Sequence, residues 1–278
     1  MFDFFFDTAN IDYIKRAWTT VSPHFNSTHI RGITTNPSAM HKESLTSLRS
    51  WEVRLPELCS LVSTLRGDDK GVVYVQMPSC NMSGEDAIAW AKHISKFTDG
   101  NTKLGLKIPP YRKILKLIPE LTNIMETNVT GVSDAATALS CFSFGPRYVS
   151  IIPGRMEEVG ITAKDHLLLA QQRLDLTQSD IISGSMRTVE GLKMTVLAGT
   201  VPTIGTRVWD QLIDPEFKLE EFLESIENFS TPETNTLLNI LIDERNHKLS
   251  RDFFLQMNEL GREVHQDWIK VARGGEII

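Results

Sequence analysis

The stretch Leu104-Gly105-Leu106-Lys107-Ile108-Pro109 is an apolar run that contains one lysine and stops at a pair of prolines. Such a run is typical of a buried strand, which ends at proline because proline has no N–H to donate to a sheet. Burial disfavours the charged form of an amine and lowers its pKa, so a lysine here could attack a carbonyl carbon. The alternative is a lysine whose stem packs inside while its ammonium group reaches water.

Lys107 falls in the fourth of eight β-rich runs, which are residues 2–8, 30–36, 72–77, 103–108, 123–129, 148–153, 180–185 and 201–205. Most segments between them have helical periodicity; Ile88, Ala91 and Ile94, for example, fall on one face of a helix. Strands that alternate with helices in one continuous stretch predict an α/β fold with a parallel sheet. Eight such units are the number in a (β/α)8 TIM barrel, which is the predicted fold class.

The sequence after Gly205 has a different pattern and predicts several helices from about residue 219 onward. We therefore predict a barrel catalytic domain, residues 1–214, and a C-terminal helical extension, residues 215–278. The extension has more apolar side chains than a solvated helix needs, namely Phe222, Leu237, Leu238, Ile240, Phe253, Phe254 and Leu260. We expect it to pack across the barrel or against a second subunit, which would make the protein a homo-oligomer.

The composition excludes several classes of partner. The 278-residue chain is 41% hydrophobic and 23% charged, with a net charge of −6 and no dense block of lysine or arginine, which argues against nucleic acid. No apolar run approaches the roughly 18 residues of a membrane span. Cys59, Cys80 and Cys141 form no CxxC pair, and the seven histidines have no metal-ligand spacing. We expect no metal site and a cytoplasmic location.

Polar side chains collect at the ends of the predicted strands. In a barrel, the C-terminal ends of the strands form the mouth of the active site. A core strand gains nothing from ending in polar groups, because each must be hydrogen-bonded or desolvated at a cost. These residues therefore predict a site around Lys107; they are Asp7, Thr34, Thr35, Asn36, Gln76, Lys107, Asn128, Thr130, Ser150 and Ser185.

Several of these segments resemble the transaldolase family, which includes the fructose-6-phosphate aldolases. The resemblance covers residues 2–214 and is carried by Phe6-Asp7-Thr8-Ala9-Asn10, Gly32-Ile33-Thr34-Thr35-Asn36-Pro37-Ser38, Leu106-Lys107-Ile108-Pro109, Thr127-Asn128-Val129-Thr130 and Ser185-Met186-Arg187-Thr188. The family implies a (β/α)8 barrel with a Schiff-base lysine on the fourth strand. Lys107 ends the fourth strand counted above.

The resemblance implies catalytic roles for residues at the strand ends. Lys107 would attack the C2 ketone of a ketose phosphate, and Asp7 would be a general acid and base for cleavage of the C3–C4 bond. Thr130 would position the water used for proton transfer. For Asp7 the alternative is a helix N-cap, since the residues after it suit a helix start.

Substrate-binding roles follow in the same way. Asn36 and Asn128 would bind sugar hydroxyls, Thr34 would shape the site, and Ser150 would lie beside the Schiff base. The alternatives are turn and cap hydrogen bonds for the two asparagines, and simple packing for Ser150.

The distal phosphate would be held by Arg155, Ser185 and Arg187. Two guanidinium groups and a hydroxyl suit a dianion through charge-assisted hydrogen bonds. Each arginine alone could instead form a surface ion pair.

Two positions depart from the family pattern. Gln76 stands where transaldolases have a glutamate, as it does in the aldolase branch, and an amide can orient a water but cannot exchange its proton. Ile152 stands where transaldolases have phenylalanine and the aldolase branch has a catalytic tyrosine. Glu126 is a further carboxylate near this region, but we expect it to face outward.

These features predict transaldolase activity without a metal or organic cofactor. A dihydroxyacetone unit would pass from a ketose phosphate such as fructose 6-phosphate to an aldose phosphate such as erythrose 4-phosphate. One alternative is a lyase that releases free dihydroxyacetone. A second is a catalytically weak homologue that binds sugar phosphates.

Overall fold

The structure is a computed structural model that describes residues 1–67, 70–172, 178–228 and 244–273, with the backbone alone in 244–247. Eight parallel strands form a closed barrel in chain order, each paired with its neighbours in sequence and β8 with β1. The strands are β1 Phe4–Asp7, β2 Ile30–Thr34, β3 Val72–Gln76, β4 Lys103–Ile108, β5 Glu126–Val132, β6 Tyr148–Ile151, β7 Asp180–Ser183 and β8 Val201–Gly205. The prediction of a (β/α)8 TIM barrel is confirmed.

Helices alternate with these strands and continue beyond them. Those within the barrel are α1 Ile11–Val21, α2 Pro37–Lys42, α3 Leu48–Arg66, α4 Gly84–Ile94, α5 Arg112–Leu115, α6 Ile118–Thr122, α7 Ala135–Phe142, α8 Pro153–Glu158, α9 Ala163–Gln171, α10 Val189–Leu197 and α11 Thr206–Leu212. The extension contains α12 Leu219–Glu227, α13 Glu244–Leu260 and α14 Arg262–Ala272. In the described ranges no helix is long and apolar enough to span a membrane.

Among the eight strands, β5 has the bounds that differ most from the prediction. It begins at Glu126 rather than at residue 123, because Asn123 is the C-cap of α6. It also runs past residue 129, and its pairing with β6 shifts register between Val129 and Val132. Gly131 has a φ of 75° in this bulge, a conformation that favours glycine.

Aromatic rings form the floor of the barrel interior. The rings of Phe5, Tyr74 and Tyr148 meet edge to face, with centroids 6.0, 5.7 and 5.8 Å apart. Gly105 is required beside them, because a Cβ there would lie 2.2 Å from the ring of Tyr74. Tyr74 Oη donates a hydrogen bond to Glu126 Oε2 at 3.1 Å. The expectation that Glu126 faces outward is therefore wrong: it has the same strand parity as Asn128 and turns inward at the floor.

Helix α13 lies across the C-terminal face of the barrel. Phe254 packs so closely on the bulge of β5 that a Cβ on Gly131 would lie 2.6 Å from its ring. Ser250 Oγ donates to the carbonyl oxygen of Gly131 at 2.9 Å, and Asn258 Oδ1 accepts from the backbone N–H of Cys80 at 2.8 Å. The extension thus contacts the mouth of the barrel directly.

Helix α14 anchors the extension on the side of the barrel. Its Trp268 meets Trp90 of α4 edge to face, with centroids 5.5 Å apart. Leu237, Leu238 and Ile240, which also supported the predicted packing, lie outside the described residues. The domain boundary at residue 214 and the homo-oligomer stay predictions.

Candidate active site

Strand alternation places a layer of polar side chains directly above the aromatic floor. Each residue of this layer follows, by two positions in its strand, a residue that faces the barrel interior at the level of the floor. Because side chains alternate along a strand, its own side chain also points into the barrel. The layer comprises Asp7, Thr34, Gln76, Lys107, Asn128, Ser150 and Thr203, one from each strand except β7. In the strand register, Lys107 lies between Gln76 and Asn128.

Lys107 is buried in this layer and is only 6% exposed. Burial lowers the pKa of Lys107, and the negative charge of Asp7 works in the opposite direction. A larger share of the amine is therefore neutral, which is the form that attacks a carbonyl carbon. The alternative of a side chain that extends to water is wrong.

Asp7 accepts a hydrogen bond from Thr34 Oγ1 at 2.8 Å. Thr34 Oγ1 lies 2.5 Å from Thr203 Oγ1 and has only one proton, which it gives to Asp7. Thr203 must then be the donor to Thr34, so a chain of two hydroxyls orients the carboxylate. The N-cap of α1 is Asn10, which accepts from the N–H of Tyr13 at 2.7 Å. The N-cap alternative for Asp7 is therefore wrong.

An amide group flanks Lys107 on each side. Ser150 Oγ donates to Asn128 Oδ1 at 2.7 Å, which leaves the amide N–H groups of Asn128 to face other partners. Among the described residues, buried Asn128 Nδ2 and buried Gln76 Oε1 have no hydrogen-bond partner. Asn128 Nδ2 on one side of the Lys107 amine can thus donate a hydrogen bond, and Gln76 Oε1 on the other side can accept one. A hydroxyl group of a substrate could bind to either atom.

Thr130, Thr35 and Asn36 differ in where their side chains lie relative to this layer. Thr130 is 3% exposed and lies in the bulge of β5, where a bulge can re-aim a side chain towards a site. Thr35 Oγ1 donates to the carbonyl oxygen of Tyr74 at 3.0 Å, which is a bond between neighbouring strands. Asn36 Oδ1 caps α2 by accepting from the N–H of Ala39 at 2.9 Å, and the residue also lines the cavity above the layer.

This cavity, of about 500 Å³, opens above the buried layer. Its lining includes Asp7, Asn10 and Glu43. It also includes three arginines around Glu158, namely Arg155, Arg187 and Arg207, which we call the arginine wall. Of the predicted residues, Asp7, Asn36, Arg155, Ser185 and Arg187 line the cavity, whereas Thr34, Gln76, Lys107, Asn128, Thr130 and Ser150 do not. Asp7 connects the cavity with the buried layer, because it lines the cavity and also acts electrostatically on Lys107.

Helix α8, which carries Arg155, packs tightly against the loop that carries Ser185. A Cβ on Gly154 would lie 1.8 Å from the carbonyl oxygen of Ser185, so only glycine fits. Ser185 itself has a φ of 59°, which is uncommon for a residue other than glycine. Arg155, Ser185 and Arg187 all line the cavity, and their role in holding a phosphate stays a prediction.

Arg155 is held by the C-terminal extension. Its Nη2 donates to Gln256 Oε1 at 3.2 Å, and its guanidinium lies 5.0 Å from the ring centroid of Phe253. Burial lowers the pKa of Arg155, and the charge of Arg187 lowers it further. Sequence analysis missed Phe253 and Gln256 as neighbours of the site, because they lie about 100 residues from Arg155 in the chain.

Ile152 is buried and follows β6, where its N–H donates to the carbonyl oxygen of Val132 at 3.0 Å. It lies two residues after Ser150, so an apolar side chain occupies this position beside the polar layer. Within the described ranges, no group of three or more His, Cys, Asp or Glu residues is placed to hold a metal ion.

The closed barrel thus combines a buried lysine, an acid that acts on it electrostatically, and a cavity lined with arginines. A model of the transaldolase/fructose-6-phosphate aldolase family matches residues 4–253, and the chain belongs to that family. The match extends beyond residue 214, where the sequence analysis ended the resemblance, and takes in α12 and much of α13.

The chain covers most of the length of several curated relatives. The probable transaldolase 2 of Bacillus anthracis is 30% identical over 216 residues, which are 75% of this chain and 89% of the relative. The probable transaldolase of Clostridium tetani is 27% identical over 237 residues, 82% of this chain and 99% of the relative. That of Methanococcus vannielii is 30% identical over 210 residues, 72% of this chain and 85% of the relative.

Proposed function

We propose that this protein is a transaldolase that transfers a dihydroxyacetone unit from a ketose phosphate to an aldose phosphate through a Schiff base on Lys107. The observation that carries the proposal is the burial of Lys107, which lowers its pKa, next to the carboxylate of Asp7. An imine is an electron sink that needs no metal or organic cofactor.

The proposed reaction begins when neutral Lys107 Nζ attacks the C2 carbonyl carbon of the donor. Loss of water leaves a protonated imine. Asp7 then takes the proton of the C4 hydroxyl, the C3–C4 bond breaks, and its electron pair moves into the imine to form an enamine. The aldose phosphate that is released carries C4 as an aldehyde. The hydroxyls of Thr34 and Thr203 support Asp7 by orienting its carboxylate.

The second half of the reaction reverses these steps on a new aldehyde. The enamine C3 attacks the acceptor's carbonyl carbon, and Asp7 returns the proton to the new hydroxyl. Water then hydrolyses the imine and frees Lys107. Asn128 and Gln76 would bind the hydroxyls of the dihydroxyacetone unit, since each has a buried polar atom without a partner among the described residues. Thr130 would position the water, with Ser150 holding Asn128.

The distal anion would bind at the arginine wall of the cavity. Arg155 and Arg187 can each present N–H groups to a phosphate, and Ser185 adds a hydroxyl. The anion would then lie above the layer that holds Lys107, so that a ketose phosphate extends from the mouth to the amine. We propose Asn36 as a further contact for a sugar hydroxyl, because it lines the same cavity.

Transfer rather than release is favoured by the groups beside the enamine. Gln76 cannot deliver a proton at neutral pH, and Ile152 is apolar. Protonation of C3 by the protein would therefore be slow, and the enamine would persist until an acceptor aldehyde arrives. A specific observation favours the lyase as second candidate: Gln76 is the residue that the sequence analysis associates with the aldolase branch.

The test compares turnover of fructose 6-phosphate with and without erythrose 4-phosphate. We expect slow release of dihydroxyacetone alone and an acceleration of at least about tenfold with acceptor, a barrier difference near 1.4 kcal/mol. Gln76→Glu should raise transfer if proton exchange with water is limiting, whereas Ile152→Tyr should raise release. Equal rates with and without acceptor would establish the lyase. Binding of fructose 6-phosphate without either reaction would establish the weak homologue.

A further inference from the structure

The arginine wall contains a carboxylate that the proposed reaction does not use. Glu158 lines the same cavity as Arg155, Arg187 and Arg207, and its Oε1 lies 2.7 Å from Arg187 Nε. Glu158 follows Arg155 by three residues in α8, a spacing that puts both side chains on one face of a helix. A carboxylate thus occupies part of the space between guanidinium groups.

Arg207 is the third guanidinium at this wall and was not predicted as a site residue. It lies in the first turn of α11, directly after β8. Gln211 Nε2 donates to the carbonyl oxygens of Arg207 and Arg187, at 2.8 and 3.1 Å. One amide therefore ties together the two segments that carry these arginines.

The carboxylate of Glu158 stays ionised at neutral pH. The hydrogen bond from Arg187 lowers the pKa of Glu158 most, and the charges of Arg187, Arg155 and Arg207 lower it further. The Glu158 side chain is 51% exposed and that of Arg187 is 31% exposed, so the carboxylate could swing into water. An ion pair at this exposure is weak enough to be exchanged for another anion.

We propose that Glu158 is an internal counter-ion of the anion subsite, and that a phosphate group binds Arg155, Arg187 and Arg207 by displacing it. The identity of the substrate that carries this phosphate rests on the proposed function, but the competition itself does not. A dianion beside an ionised carboxylate is repelled, so both cannot occupy the arginine wall without a loss of affinity. Glu158 would then weaken phosphate binding and speed its release.

The same ion pair also fits the opposite role for Glu158, in which it strengthens phosphate binding. The two roles predict opposite effects of removing its charge. If Glu158 positions Arg187 for phosphate, then removal of its charge should loosen Arg187 and weaken phosphate binding. If Glu158 competes with phosphate, its removal should tighten binding by about threefold or more, since it removes both a repulsive charge and a competing ion pair.

The experiment is calorimetric titration of inorganic phosphate into the full-length protein at neutral pH. Glu158→Gln should lower the Kd for phosphate by about threefold or more, and Arg207→Gln added to it should reverse much of that gain. Glu157→Gln is the matched control, because Glu157 is the neighbouring exposed glutamate and does not line this cavity. It should leave the Kd unchanged.

An unchanged or higher Kd in Glu158→Gln, or an equal gain in the Glu157→Gln control, would overturn the proposal. So would a failure of both the wild-type protein and Glu158→Gln to bind phosphate. Since the titration involves no Schiff base, these outcomes are independent of whether Lys107 reacts with a ketose. A far-ultraviolet circular dichroism spectrum of each variant checks that it is folded.

Discussion

The buried layer around Lys107 and the cavity mouth above it differ in how they treat charge. The layer contains neutral hydroxyls and amides with one amine and one carboxylate, and its lysine is almost fully buried. The mouth is lined by acidic and basic side chains, of which Arg187 and Glu158 are partly exposed and form an ion pair. Desolvation in the layer lowers the pKa of Lys107, whereas the charged side chains of the mouth stay in contact with water.

The largest effect is expected within the buried layer, from Asp7→Asn. Loss of a general base should lower kcat by about 10² to 10⁴. The negative charge of Asp7 raises the pKa of Lys107, so its removal should leave the amine more neutral and still able to form a Schiff base. Steady-state kinetics and borohydride trapping of the same variant would separate the two steps.

The matched control is Asp12→Asn, which changes an exposed carboxylate in the first turn of α1. It should leave kcat unchanged. A kcat for Asp7→Asn that stays within about threefold of the wild-type value would show that Asp7 only orients neighbours and that the layer has no general base at this position.

A smaller effect is expected at the mouth. Arg155→Ala and Arg187→Ala should each raise KM for phosphorylated donors by roughly ten- to a hundredfold, since a charge-assisted contact to a dianion contributes about 1.5–3 kcal/mol. KM for fructose or free dihydroxyacetone should change little, and this comparison serves as the control. Equal effects on both kinds of donor would mean that the arginines stabilise the fold, for instance through the contact of Arg155 with Phe253.

The smallest effect is expected on the free energy of unfolding, because burial of the Lys107 amine destabilises the folded protein. Because the pKa of Lys107 is lower in the folded protein than in the unfolded chain, the unfolded chain binds more protons at pH values between the two. The wild-type free energy of unfolding should therefore rise with pH in this window. Lys107→Met should be more stable at pH 7, on the order of a few °C in Tm, and the gain should shrink towards pH about 10.4, the pKa of a free lysine.

Urea unfolding from pH 7 to pH 10 would measure this difference. Lys103→Met is the control, because Lys103 is an exposed residue of the same strand. It should show no gain that depends on pH. If Lys107→Met were less stable than the wild-type protein at every pH, desolvation would not be the source of the reactivity of Lys107.

The two regions also differ in how well the sequence predicted them. The buried layer follows from strand periodicity, because polar residues at the ends of apolar runs converge wherever a barrel closes. Thr203 was missed although its signal was present: a hydroxyl at the centre of the predicted strand 201–205. Glu126 was misplaced for a similar reason, since it is two residues from Asn128 and must share its face.

The mouth was harder to predict because its neighbours come from distant segments. Gln256 and Phe253 reach Arg155 only after α13 has crossed the barrel, and no local pattern encodes that contact. Glu158 and Arg207 are separated by almost 50 residues and meet only because α8 and α11 both follow strands of a closed barrel. Sequence analysis predicted Arg155 and Arg187 through a resemblance rather than through their contacts.

Borohydride trapping with fructose 6-phosphate would show whether Lys107 forms the proposed Schiff base. Mass spectrometry of the intact protein and its peptides should find one reduced adduct, on Lys107, and none in Lys107→Met. Lys103→Met should be labelled as fully as the wild-type protein. An adduct on Lys103, or one that persists in Lys107→Met, would show that Lys107 is not the nucleophile.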